Sequence, residues 1–165
     1  MRKSIFKSTI ILFISGFLLH YAYDISNNNF LVGLFSPINE SVFEHLKLSF
    51  YPTLIWWLIF YIFNQDRYNI NKDRWFTGCL VSIITSILTI LAIYYIAKCG
   101  LGINSLILDI SSLYIGLFAG QYLGYHIYNY YLKSKYILSI AMIFIFFVSF
   151  IVLTILPQSA PIFID

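Results

Sequence analysis

The segment Gly33-Leu34-Phe35-Ser36-Pro37-Ile38-Asn39-Glu40-Ser41-Val42-Phe43-Glu44-His45-Leu46-Lys47 holds the chain's densest set of groups able to do chemistry. Ser36 followed by Pro37 reads as a helix start, a hydroxyl cap and then a residue preset for the first turn. Asn39 is a competing cap. On a helix begun there, Glu40 and Glu44 share one face at i,i+4, as do Ser41 and His45, and Lys47 can pair with Glu44 three residues away. Carboxylates and an imidazole converging on one point suit a divalent first-row metal such as zinc, a proton or a small polar ligand. The E-x-x-x-E-H spacing is not the H-E-x-x-H of zinc proteases. A capped amphipathic helix entrance, with its polar groups in interfacial water, accounts for the same residues without a ligand.

Other polar groups fall at a compatible depth. His20 and Asp24 are i,i+4, with Gly16 one turn before His20. Asp109 stands a few residues into an apolar stretch, where a carboxylate is costly and usually faces the bundle interior. Ser112, Gly116, Gly120 and Gly124 recur every four residues, a small-residue ridge that lets backbones approach closely. Asp109 is seven residues before Gly116, roughly 20° away around a helix, and so is expected on that packing face. The glycine face also offers a route to an oligomer. His126 lies among Tyr122, Tyr125, Tyr128, Tyr130 and Tyr131, an interfacial aromatic belt. Trp56 and Trp57 are read as lipid-facing or packing residues, and Pro52 as a break that frees the carbonyl of Leu48. Cys79 and Cys99 lie about 30 Å apart along one helix, too far for a disulfide.

The elements that must position these groups follow from composition. Of 165 residues, 60% are hydrophobic and 10% charged, and the mean hydropathy is +0.82. A soluble domain carries about 25% charged residues, so the chain cannot cover a water-facing surface with ionic groups, and lipid is its solvent. Soluble enzyme, disulfide-stapled scaffold, disordered tail and nucleic-acid-binding domain are thereby excluded, and a formal charge of +3 is too small to mark a polyanionic partner. Five apolar stretches, about 6–23, 46–64, 75–97, 105–131 and 136–156, each suit a spanning helix. The chain is expected to be a single all-α integral membrane domain over 1–165, a bundle of five transmembrane helices.

Charge orients it. Arg2, Lys3 and Lys7 mark the start of the first stretch, Arg67, Lys72 and Arg74 the second connection, and Lys133 and Lys135 the fourth. These are eight of the ten cations, so the positive-inside rule expects a cytoplasmic N-terminus and an extracytoplasmic C-terminus. Cleavage of the first stretch as a signal peptide is disfavoured by the bulky Tyr21-Ala22-Tyr23.

The motif G-L-F-S-P-I-N-E-S-V-F-E-H-L-K, followed by an apolar run containing Pro52, resembles the signature of a family of small bacterial integral membrane proteins of unknown function. The resemblance extends over most of the chain, to the Pro-rich ending from Pro157. It implies a multi-pass protein of the bacterial cytoplasmic membrane and places emphasis on Asn39, Glu40, Glu44 and His45, but it supplies no reaction. From the residues, His20, Asp24, Glu40, Glu44, His45 and Asp109 are expected to line one outward-facing polar pocket, with Asn39 and Ser36 at its rim. Three functions stay open: binding, sensing or conveying an ion or small polar ligand; metal-dependent hydrolysis of a lipid or envelope substrate; and a structural or accessory role.

Overall fold

The computed structural model describes residues 2–130 and 135–163, with side chains from Ile5 onward. Leu132, Lys133 and Ser134 of the expected fourth connection, and Arg2 and Lys3 as charged side chains, lie outside what is described. The described residues form seven α-helices and no strand: α1 (Arg2–His20), α2 (Ala22–Ile25), α3 (Phe30–Gly33), α4 (Val42–Tyr68), α5 (Lys72–Tyr95), α6 (Leu106–Tyr130) and α7 (Tyr136–Ile155). A π-helical turn at Ile96–Gly100 prolongs α5, and a short 3-10 turn occupies Pro161–Phe163.

α4 to α7 are long and apolar enough to cross a membrane, as a multi-pass membrane protein requires. The first apolar helix, Ile5–His20, is shorter. Tyr21 keeps helical dihedrals (φ −91°, ψ −3°) between α1 and α2, so the chain climbs almost without interruption to Ile25. α4 is the central helix: half of its most apolar stretch is buried, against 22% for α7. The long helices alternate in direction. His20 at the end of α1 meets His45 at the start of α4, and Thr154 near the end of α7 meets Glu44. At the opposite end Phe6 packs on Tyr122 and Tyr125, and Asp73 accepts the backbone N–H of Tyr136 at 2.8 Å, capping α7 from another helix. The bundle therefore has a basic end, with Lys7, Arg67, Lys72, Arg74 and Lys135, and an acidic end, with Asp24, Glu40, Glu44 and Asp109.

Small residues set the helix separations. A Cβ at Gly116 would lie 2.6 Å from Ile90 and 2.9 Å from the Ser86 carbonyl, and one at Gly120 would collide with Ser86 and the Ser82 carbonyl. Gly124 and Gly78 face each other, each blocked by the other's carbonyl and by the Trp57 ring. With Ser112 also buried, the ridge of α6 packs as expected, but against α5 of the same chain. Any second copy must therefore use another face. Gly16 performs the same task between α1 and α4, where a Cβ would sit 2.7 Å from the Leu48 carbonyl. Pro52 has no N–H to offer that carbonyl, so the freed oxygen of α4 lies against the one residue of α1 that leaves it room.

The expected cap at Ser36–Pro37 is corrected by the structure. Helix α4 starts at Val42, and its cap is Ser41, extended at φ −65° and ψ 151°, whose hydroxyl accepts the Glu44 N–H at 3.4 Å. Ser36 instead donates its hydroxyl to the Val32 carbonyl at 3.0 Å, completing the turn after α3. Asn39 accepts the Ser41 N–H at 3.2 Å and leads the chain into the true cap. The delay is permitted because side chains of α4 satisfy the irregular backbone before it. Lys47 donates to the carbonyls of Gly33 and Ser36, Glu44 accepts from the Ile38 N–H, and the Tyr51 hydroxyl donates to the Leu34 carbonyl.

Candidate metal centre at the acidic end

Moving the helix start from Ser36 to Val42 changes what the segment's carboxylates do. Glu40 is no longer on the helix with Glu44 but in the bend that precedes the cap. Its Oε2 lies 3.3 Å from His45 Nε2, and it remains 73% exposed. The His45 ring, in the first turn of α4, sends Nδ1 to the Ser41 carbonyl at 3.0 Å. A carbonyl only accepts, so Nδ1 carries a hydrogen, and that bond fixes the ring with Nε2 directed at the Glu40 carboxylate. This is the arrangement that orients a histidine for metal ligation. From α1, His20 stands edge-on to His45, ring centroids 5.0 Å apart at 89°, and stacks on Tyr21 at 5.0 Å. His20, Glu40 and His45 each offer a ligand atom, all within 4.8 Å of one another. Two imidazoles and one carboxylate form a donor set suited to zinc, with an open coordination position left for water.

Glu44 has a different place. Its Oε2 accepts Lys47 Nζ at 2.6 Å and the Ile38 N–H at 2.9 Å, while Oε1 accepts the Thr154 hydroxyl at 3.2 Å. Lys47 is completely buried, and its ammonium donates to Glu44 and to the carbonyls of Gly33 (2.8 Å) and Ser36 (3.2 Å). Three donors meet three acceptors. That matching is what makes a buried charge pair tolerable, since either ion alone would be stranded away from water. The i,i+3 partnership expected between Glu44 and Lys47 is present, as an internal clamp that binds the 33–41 segment and α7 to α4.

The remaining candidates are spread out. Asp24 is exposed one turn beyond His20, outside the triad. Asp109, expected on the glycine face, is exposed in the first turn of α6, within electrostatic reach of Lys98. The packed face begins only at Ser112, because Asp109 lies where the helix is just leaving the surface connection. Lys98 donates to the Tyr94 hydroxyl at 2.6 Å. Asn39 and Ser36 serve backbone geometry, as described. His126 is exposed at the basic end, its ring 4.7 Å from that of Tyr130. Trp57 is fully buried against Trp75, with centroids 4.5 Å apart, and Trp56 is half-buried beside it. Cys79 is buried and Cys99 exposed, both as free thiols.

Two participants, Ser41 and Thr154, lie outside the set of candidate residues expected from the sequence. Ser41 heads an S-x-x-E pattern, Ser41 to Glu44, which is a capping-box signature and was available in the residues themselves. Thr154 carries no such signal, because its partner is 110 positions away.

A family model described as a family of unknown function (DUF6512) matches residues 1–165. No curated protein and no solved structure shows significant similarity to the chain.

Proposed function

We propose that this chain, which belongs to that family of unknown function, is a multi-pass protein of the bacterial cytoplasmic membrane that binds an exchangeable divalent first-row cation, zinc above all, at its outer face. The observation that carries the reading is the convergence of His20, Glu40 and His45, with His45 Nδ1 already engaged by a backbone carbonyl. Three protein ligands and an open position suit a cation that comes and goes, as does the exposure of Glu40. The clamp of Glu44 and Lys47 supports the site by fixing the segment that carries Glu40.

In this reading five helices cross the membrane, α1 together with α2 serving as the first crossing. The basic end is cytoplasmic, in keeping with the excess of Lys and Arg there. The triad is then extracytoplasmic and meets cations before they enter the cell. The role is one of binding or sensing, in which the bound ion ties α1 to α4.

Metal analysis and calorimetry on purified, chelator-stripped protein test the proposal. One zinc per chain is expected, with affinity reduced about 10- to 100-fold or more in His45→Ala and His20→Ala and retained in Asp109→Asn. Wild-type protein that takes up no zinc, or variants that bind it equally well, would overturn it.

A further inference from the structure

Beside the cation site the chain turns a rigid apolar edge outward. Tyr21 keeps helical dihedrals, so α1 and α2 share one helical phase. In that phase Ile14, Leu18, Tyr21 and Ile25 fall within about 60° of one another. All four are exposed, Ile25 most, at 79%. The outward apolar stripe of α1 thus runs on past His20 to Ile25. Helix length gives the reason. From Ile5 to His20 the rise is only about 24 Å, short of a hydrocarbon core of about 30 Å, whereas the path to Ile25 reaches about 30 Å. Ile25 therefore stands where α1, as a crossing helix, meets the far edge of the hydrocarbon.

The chain then reverses. Asn27 and Asn28 adopt the left-handed conformation, with φ 55° and 58°, which asparagine tolerates. Asn29 accepts the Leu31 N–H at 2.9 Å and so starts α3. Phe30 and Leu31, in its first turn, are 64% and 66% exposed. They do not sit on a loose loop. A Cβ at Gly33 would lie 2.7 Å from the Ile38 side chain and 2.9 Å from the Tyr23 ring, so α3 is pressed against α2. From α4, Lys47 and Tyr51 hold the carbonyls of Gly33 and Leu34. No charged residue occurs from Ile25 to Asn39. An exposed apolar edge of this kind marks an interaction surface, and its continuity with the stripe of α1 identifies lipid as the partner. Because the edge is already ordered, little entropy is lost when it docks.

We propose that Ile25, Phe30 and Leu31 form a preformed anchor seated in the leaflet at the acidic end, at the boundary between headgroups and acyl chains. His20 lies five residues before Ile25, and Glu40 two residues after Ile38. The anchor therefore sets the His20–Glu40–His45 site at headgroup depth. Cations reach the site from the headgroup layer, where anionic lipids concentrate them, and not from open water. That consequence rests on the proposed cation site; the anchor itself does not.

A nitroxide attached through Leu31→Cys, in a Cys99→Ser background and in metal-free lipid nanodiscs, tests the anchor. Relative to a label placed through Asn28→Cys at the polar turn, it should collide several-fold more with oxygen, which dissolves in lipid, and several-fold less with a water-soluble nickel chelate. Phe30→Cys, at a second exposed position, should repeat the result. Nickel accessibility at residue 31 equal to that at residue 28 would overturn the anchor. Shielding from both reagents would show the edge covered by a second copy, and would overturn it as well. For the depth of the site, zinc should bind about tenfold more tightly in discs of phosphatidylglycerol than in discs of phosphatidylcholine at low salt. Equal affinity in the two would overturn that placement. Protein that binds no zinc in either lipid, with the label still shielded from nickel, would overturn the cation site and leave the anchor standing.

Discussion

At the scale of the residue, Glu44 and Lys47 show how one position in a motif can serve the scaffold while its neighbours serve the site. The pair is buried and fully hydrogen-bonded, so removing either partner strands the other. Glu44→Gln and Lys47→Met are each expected to destabilise the protein by about 3–5 kcal/mol, measured by denaturant or thermal unfolding in detergent. The double variant should lose clearly less than the sum, since no uncompensated ion remains. Equal and additive losses would mean that the two side chains do not act as a pair.

At the scale of the element, most of the helical framework was legible in the residues. The apolar stretches at 46–64, 75–97, 105–131 and 136–156 fall within or almost on helices α4 to α7. The Ser112–Gly124 ridge packs as its four-residue spacing demands. What misled was the local strength of Ser36-Pro37. A cap preference is worth about 1 kcal/mol, and several tertiary hydrogen bonds from Lys47, Glu44 and Tyr51 to the preceding backbone outweigh it. That shift also decided which carboxylate joined His45. The convergence of His20 on His45 could not be read from spacing, because it depends on how far α1 climbs beside α4. Gly16 sets that approach, so Gly16→Leu is expected to push α1 from α4 and weaken zinc binding, whereas Gly120→Leu should loosen α5 from α6 and lower the unfolding temperature. Ser41→Ala should cost about 1 kcal/mol of stability through loss of the α4 cap.

At the scale of the whole molecule, the separation of charge is the organising feature. Lys7, Arg67, Lys72, Arg74 and Lys135 collect at one end, and most of the carboxylates at the other. Five crossings with a cytoplasmic basic end predict that reporter fusions at residues 30 and 101 are extracytoplasmic and one at residue 69 cytoplasmic. A cytoplasmic signal at residue 30 would mean that α1 does not cross, and would put the triad on the other side. The account's central claim, however, is that two imidazoles and a carboxylate hold a cation at this end. Zinc-edge X-ray absorption on the loaded protein addresses that most directly. The predicted spectrum has nitrogen and oxygen neighbours at about 2.0–2.1 Å, outer-shell scattering from two imidazoles, and a fall to one imidazole in His20→Ala. A sulfur-containing shell at about 2.3 Å, or an outer shell unchanged in His20→Ala, would contradict it.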